Sequence, residues 1–208
     1  MRLALPLAVA VAAFGVSFGV LARAAGLGVL APVVMSATTF AGSSQFAAVS
    51  ILGAGGGVAT AIVAALLLNT RYAPIGLTAA SALRGGRLRR GLEAQLVVDE
   101  SWALAKRPGG HFDRGVLMGT GLTLYGAWLA GTAVGCLAGE ALGDPEALGL
   151  DAAFPALFLA LLVAQLRSRK TTAAALGGAA LALSLTPFTP AGIPVLGATA
   201  ACLIGLRR

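Results

Sequence analysis

The stretch AAGLGVLAPVVMSATTFAGSSQFAAVSILGAGGGVATAIVAALLLNT, residues 24–70, decides the fold because it contains no charged side chain. A membrane-spanning helix needs about 20 mainly apolar residues, so this run is long enough for two crossings. The glycine-rich sequence GAGGG at 53–57 predicts a turn between them. Inside the run lie Ser43, Ser44 and Gln45. A bilayer offers their polar groups no water, so each needs an internal partner or a wet cavity.

The whole composition is similarly apolar. Of the 208 residues, 58% are hydrophobic and only 11% are charged, and the mean hydropathy is +0.89. Soluble domains carry roughly 25% charged residues, so a water-soluble globule is excluded. We predict an integral membrane protein that forms a single domain over residues 1–208. The net charge of +7 comes from basic residues between apolar runs, which indicates membrane topology and argues against nucleic-acid binding.

The uncharged segments predict an all-α polytopic fold with about 6–8 membrane segments, some of them broken or re-entrant. They cover residues 3–22, 24–70, 72–83, 115–139, 152–166 and 171–206. Because basic loops stay cytoplasmic, both termini are predicted inside and the acidic loop at 140–151 outside. The pieces 57–69 and 72–83 are short for a hydrocarbon core about 30 Å thick. They form either a re-entrant hairpin or two tilted helices.

The two halves of the chain resemble each other. GVSFGVLA at 15–22 matches GTAVGCLA at 131–138 in order and in predicted topology. We predict two parallel repeats, residues 3–90 and 115–208, related by an axis along the membrane normal. An amphipathic interfacial segment at 91–114 links them. Chance similarity in a chain rich in Ala, Gly and Leu is the alternative.

The polar run AGSSQF predicts a helix interruption that binds a substrate. Gly42 permits unusual backbone angles, and Ser43, Ser44 and Gln45 supply donors and acceptors. Transporters use such broken helices near the middle of the membrane. The alternative is hydrogen bonding between helices, which is common in membrane bundles.

Two further polar pairs complete the candidate site. Asn69 and Arg71 lie in NTRY, and the guanidinium of Arg71 suits a carboxylate because it can donate two parallel hydrogen bonds. A surface arginine in an outer loop is the alternative. Asp99 and Glu100 are candidates for ion or proton coupling, and a solvated helix face is the alternative there.

The sequence contains no convincing catalytic or metal-binding arrangement. His111 lies in a predicted loop, and Cys136 and Cys202 lie in apolar runs without a CxxC pattern. The serines of AGSSQF have no base near them in the sequence. Neither a P-loop nor a dinucleotide-binding fingerprint is present. We therefore predict no enzyme activity, no catalytic residue, no metal and no cofactor.

Six motifs in order resemble the AzlC-type branched-chain amino acid permeases, the large subunit of a two-component exporter. They are FGVSFGVLA at 14–22, FAGSSQF at 40–46, NTRY at 69–72, DESWAL at 99–104, YGAW at 125–128 and GLDAAFPALF at 149–158. The resemblance extends over nearly the whole chain, from about residue 4 to residue 206.

The resemblance implies a multi-pass protein of the bacterial inner membrane that exports valine, leucine, isoleucine or similar amino acids. It also implies a small AzlD-type membrane subunit as partner. Physical chemistry fits this, because such a ligand needs a few polar groups for its charged end and an apolar pocket for its side chain. The energy would come from an ion gradient or from the substrate gradient. The alternatives are a non-transporting structural or assembly subunit of a membrane complex, and an intramembrane enzyme.

Overall fold

The computed structural model describes residues 4–139, 156, 159, 162, 163, 166 and 168–201. Within these residues the chain forms helices and no β-strand, which confirms the predicted all-α class. The helices are α1 (Ala4–Ala24), α2 (Leu30–Thr39), α3 (Gly42–Gly53), α4 (Val58–Asn69), α5 (Tyr72–Ala79), α6 (Arg87–Ala94), α7 (Asp99–Ala105), α8 (Arg114–Ala138), α9 (Arg169–Leu185) and α10 (Ile193–Ala198). Short 3₁₀ turns lie at Ala80–Ala82, Pro108–Gly110 and Thr199–Ala201.

Two of the described helices, α1 and α8, are long and apolar enough to cross a membrane alone. A third crossing is formed if α4 and α5 count together, since they are bent by 42° at a short break. This bend lies where the sequence predicted a hairpin or two tilted helices. Most of the predicted segment 152–166 and the acidic loop at 140–151 lie outside the described residues.

Among the described helices, the most extensive packing is between α1 and α8. Gly15 and Gly19 of α1 face Gly131 and Gly135 of α8, and a Cβ on Gly15 would lie 2.7 Å from the carbonyl oxygen of Trp128. Only glycine allows two backbones to approach so closely, and this spacing of small residues four apart is typical of paired membrane helices. These are the same glycines that align when the two halves of the sequence are compared.

The predicted helix interruption is present between α2 and α3, but its unusual backbone residue is different. Phe40 adopts the left-handed conformation, with φ 40° and ψ 52°, and Gly42 is already the first residue of α3. An aromatic side chain rarely adopts this conformation because of its Cβ. Packing compensates for this unfavourable backbone conformation, since the Phe40 ring is buried and meets the Tyr125 ring edge-to-face, with 5.2 Å between the ring centroids. Gly42 lies close to Trp128, since a Cβ there would lie 3.1 Å from the indole, which would have to shift by a few tenths of an ångström.

A buried carboxylate fixes the segment after α5 to the start of α8. Both oxygens of Glu93 accept from the Arg114 guanidinium, at 2.6 and 2.7 Å. The Arg84 backbone N–H and Arg89 Nε donate to the same carboxylate. The hydrogen bonds from Arg114, followed by the one from the Arg84 backbone, lower the pKa of Glu93 to about 2. Glu93 is therefore charged at neutral pH and holds α6 against α8.

Candidate substrate-binding site

A cavity of about 630 Å³ lies between α1, α3, α7, α8 and the bend from α4 to α5. Its polar side chains gather on α3, α7 and the bend: Ser43, Arg71, Tyr72, Asp99 and Glu100. The rest of the lining is apolar or small: Leu7, Ala10, Val11, Phe14, Phe40, Gly42, Val98, Leu124 and Trp128. The cavity therefore has a charged end and a hydrophobic wall, as small-molecule sites commonly do.

Arg71 is the centre of the charged end. Its Nη2 donates to Ser43 Oγ at 2.8 Å and to Tyr72 Oη at 3.3 Å, and lies 3.1 Å from Asp99 Oδ2. The side chains of Arg71 and Asp99 are 36% and 41% exposed, so a ligand in the cavity can reach both. Arg71 Nε is buried and has no hydrogen-bond partner within the described part of the chain. The guanidinium therefore retains donor capacity.

The local backbone explains why Arg71 points to this place. The residue lies in the break between α4 and α5, immediately before Tyr72, and its guanidinium lies 5.0 Å from the centroid of the Tyr72 ring. A cation over an aromatic face is electrostatically favourable. The ring and the hydroxyl of Ser43 thus orient the guanidinium independently of Asp99.

Asp99 and Glu100 reach the cavity because α7 begins with them. Val98 is extended, and its backbone N–H donates to Ser101 Oγ at 3.0 Å. The same hydroxyl donates to the carbonyl of Leu96 at 2.9 Å, so the start of α7 is fixed. Although water reaches Glu100, the protein around it disfavours the charged form and raises the pKa of this carboxyl, and the negative charge of Asp99 acts in the same direction.

Gln45 belongs to a buried hydrogen-bond network and does not line the cavity. Its Oε1 accepts from Ala41 N and from Trp128 Nε1, both at 3.1 Å, and its Nε2 donates to Ser36 Oγ at 2.9 Å. The Ser36 hydroxyl also lies 2.9 Å from Thr132 Oγ1. Gln45, Ser36 and Thr132 are completely buried. The network ties α2, α3 and α8 together and holds the indole that forms part of the cavity wall.

The two other predicted residues also lie away from the cavity. Ser44 is buried and donates to the carbonyl of Ala41 at 2.9 Å, beside the helix break. Asn69 lines a second cavity of about 320 Å³, together with Tyr72 and Gln95. Its Oδ1 is buried without a hydrogen-bond partner in the part of the chain that the structure describes. The structure therefore brings Ser43, Arg71, Asp99 and Glu100 together, and separates Ser44, Gln45 and Asn69 from them.

Several lining residues had no role assigned to them from the sequence. Tyr72 and Trp128 lie within the motifs NTRY and YGAW, so their place in these two motifs was the signal in the sequence. Leu7, Val11 and Phe14 are ordinary residues of an apolar helix, and only the pairing of α1 with α8 brings them to the cavity.

The histidine and the cysteines lie outside the cavity lining wherever the structure describes them. Cys136 is buried in α8 next to the carbonyl of Gly19, and His111 is exposed in the turn after α7. Cys202 lies outside the described residues. Among the residues searched in the structure, no three His, Cys, Asp or Glu side chains form a group that could hold a metal ion.

The helical fold and its apolar crossings define the chain as an α-helical membrane protein. A family model described as "AzlC protein" matches residues 6–142, and the chain belongs to the AzlC family. No solved structure matches the chain.

Three similar proteins extend this comparison over most of the chain. An "Uncharacterized membrane protein" of Archaeoglobus fulgidus is 34% identical, with 90% of this chain and 84% of the relative aligned. The "Inner membrane protein YgaZ" of Escherichia coli is 27% identical, over 97% of this chain and 86% of the relative. The "Branched-chain amino acid transport protein AzlC" of Bacillus subtilis is 28% identical, over 88% of this chain and 76% of the relative.

Proposed function

We propose that the protein is a secondary active transporter that exports branched-chain amino acids across the bacterial inner membrane. The observation that carries the proposal is the cavity, which combines one cation and two carboxylates at one end with an apolar wall along α1 and α8. The similarity to a Bacillus subtilis protein named for branched-chain amino acid transport supports the same substrate class.

The cavity suits the three parts of such a substrate. The carboxylate binds Arg71 and Ser43, because a guanidinium and a hydroxyl both donate hydrogen bonds. The ammonium group binds the carboxylates at the start of α7, Asp99 and Glu100. The branched side chain packs against the apolar wall, where Phe14 and its neighbours remove it from water.

Glu100 supports coupling of transport to protons. A carboxyl whose pKa is raised takes up a proton more readily near neutral pH than an ordinary glutamate does. Because Glu100 shares the cavity with Arg71, its protonation changes the charge that a substrate meets. Asp99 belongs to the same coupling site through its ion pair with Arg71.

A small AzlD-type membrane subunit is the proposed partner, and both termini are proposed to be cytoplasmic. The apolar surface of α9 is available to lipid or to such a partner, since Leu176 and Leu183 are 67% and 74% exposed. Helices associate in membranes mainly through close van der Waals packing, and the many Gly and Ala residues of this chain permit such packing against a partner.

Valine counterflow into proteoliposomes tests the transport function, with and without the partner subunit. Ala10→Trp places an indole in the cavity from an exposed position on α1 and should abolish counterflow. Ala13→Trp is the matched control, because Ala13 is also an exposed alanine of α1 but does not line the cavity. Equal activity of both variants would contradict the proposed site. Absence of valine counterflow in the unmodified protein under both conditions would favour the structural or assembly subunit.

A further inference from the structure

The ion pair between Arg71 and Asp99 occupies the place where a charged ligand must bind. Arg71 Nη2 lies 3.1 Å from Asp99 Oδ2, and both residues line the cavity. The other titratable groups of the lining are Tyr72 and Glu100, while α1, α3 and α8 contribute no titratable side chain to it. A ligand that uses Arg71 must therefore replace Asp99 or share the guanidinium with it.

We propose that the ligand inserts into this pair as a zwitterion. Its carboxylate replaces Asp99 on Arg71, and its ammonium group pairs with the released Asp99. This proposal rests on the proposed function and narrows the ligand class to molecules that carry both charges. Molecules with the same branched side chain that carry only a carboxylate or only an amine are therefore excluded as ligands.

The reason is the balance of charge in a partly enclosed site. A carboxylate without an ammonium group would leave Asp99 unpaired beside Glu100, so two negative side chains would face each other. An amine without a carboxylate would leave Arg71 unpaired. An unpaired charge in a site of low polarity is costly, and removing one partner of a pair costs more than replacing both. A zwitterion exchanges one ion pair for two and leaves no charge unpaired.

The other contacts of Arg71 make the exchange feasible. Nη2 also donates to Ser43 Oγ at 2.8 Å, and the guanidinium lies over the Tyr72 ring. These contacts do not involve Asp99, so the guanidinium keeps its orientation when the aspartate leaves. Asp99 is the first residue of α7, and its side chain can turn without changing the backbone that Ser101 fixes.

The test compares three ligands of the same shape: valine, 3-methylbutanoate, which lacks the amine, and isobutylamine, which lacks the carboxylate. Binding is measured by competition with radiolabelled valine on the purified protein. The unmodified protein should bind valine about 10- to 100-fold more tightly than either analogue, the range that a charge-assisted hydrogen bond supports. Asp99→Asn frees Arg71, so this variant should bind 3-methylbutanoate about 10- to 100-fold more tightly than the unmodified protein does.

Asp113→Asn is the matched control, because it neutralises an aspartate that pairs with an arginine, Arg107, at 3.2 Å, and neither residue lines the cavity. It should exclude 3-methylbutanoate as the unmodified protein does. If Asp99→Asn does not fold, Asp99→Ser provides a second neutral variant with the same expected gain. Equal binding of valine and 3-methylbutanoate by the unmodified protein, or no gain in a folded neutral variant, would overturn the exchange. If the unmodified protein neither binds nor transports valine, the proposed function itself would be refuted.

Discussion

Trp128 donates its indole N–H to Gln45 Oε1 at 3.1 Å, and this bond connects α8 to the first turn of α3. It is part of a network in which every polar atom of Gln45 is used inside the protein. The amide therefore stabilises the helix break, and it positions the indole that forms part of the cavity wall. A residue that looked like a ligand-binding group in the sequence contributes through packing and hydrogen bonding between helices.

Gln45→Leu should lower the stability of the folded protein. The change removes three buried hydrogen bonds and leaves the Ala41 N–H without an acceptor, which costs roughly 1–3 kcal/mol for that unsatisfied group. Trp128 Nε1 and Ser36 Oγ still bond to each other, and Ser36 Oγ also keeps Thr132 Oγ1. Thermal unfolding in detergent measures the effect. Thr123→Val is the control, because Thr123 is exposed and donates only within its own helix, to Gly119 O. An unfolding temperature of Gln45→Leu equal to that of Thr123→Val would contradict the structural role of the network.

Gly131→Ala should disrupt the pairing of α1 and α8. A Cβ at this position would overlap the carbonyl oxygen of Ala12, so the helices would have to separate. Overpacking of this kind costs about 1–3 kcal/mol.

Gly126→Ala is the matched control on the same helix, because a Cβ there meets no atom within 4 Å. It should be neutral or stabilise the helix by up to about 1 kcal/mol, as alanine generally does relative to glycine. Equal stability of the two alanine variants, measured by thermal unfolding, would contradict the close approach of α1 and α8 at Gly131.

The contribution of Glu93 should depend on pH in the acid range. Its pKa is lowered to about 2 in the folded protein, from an ordinary value of 4.5. A depressed carboxyl pKa contributes stability above the unfolded-state value, and this contribution is lost as the pH falls through the folded-state value. The difference in unfolding free energy between the unmodified protein and Glu93→Gln should therefore be constant above about pH 5 and shrink towards pH 2. A difference that does not change with pH would contradict the clamp with Arg114.

The fold was largely predictable because membranes impose simple rules on sequence. The uncharged runs, the short pieces before and after Arg71 and the break near AGSSQF all follow from hydropathy and polar content. The left-handed Phe40 was not predictable, since its strain is offset only by contacts such as the one with Tyr125. The topology and the two-repeat arrangement stay predictions. The alignment of Gly15 with Gly131, which face each other across α1 and α8, is consistent with the repeats.

The candidate site was predictable in part. Arg71 stood out because a charge in an apolar run is costly and usually functional, and Ser43 because its run is polar. The sequence could not tell which side of α3 faces the cavity, so Gln45 and Ser43 looked equivalent. The apolar wall could not be found either, since its residues come from α1 and α8, which are far apart in the chain.

The most direct test of the central claim is valine binding to Arg71→Gln, measured beside Arg107→Gln. Both arginines form an ion pair with an aspartate, at 3.1 Å for Arg71 and 3.2 Å for Arg107, but only Arg71 lines the cavity. Arg71→Gln should weaken valine binding about 10- to 100-fold, because a charge-assisted bond to the substrate carboxylate is lost. Arg107→Gln should bind valine as the unmodified protein does. Unchanged valine binding by a folded Arg71→Gln protein would contradict the account.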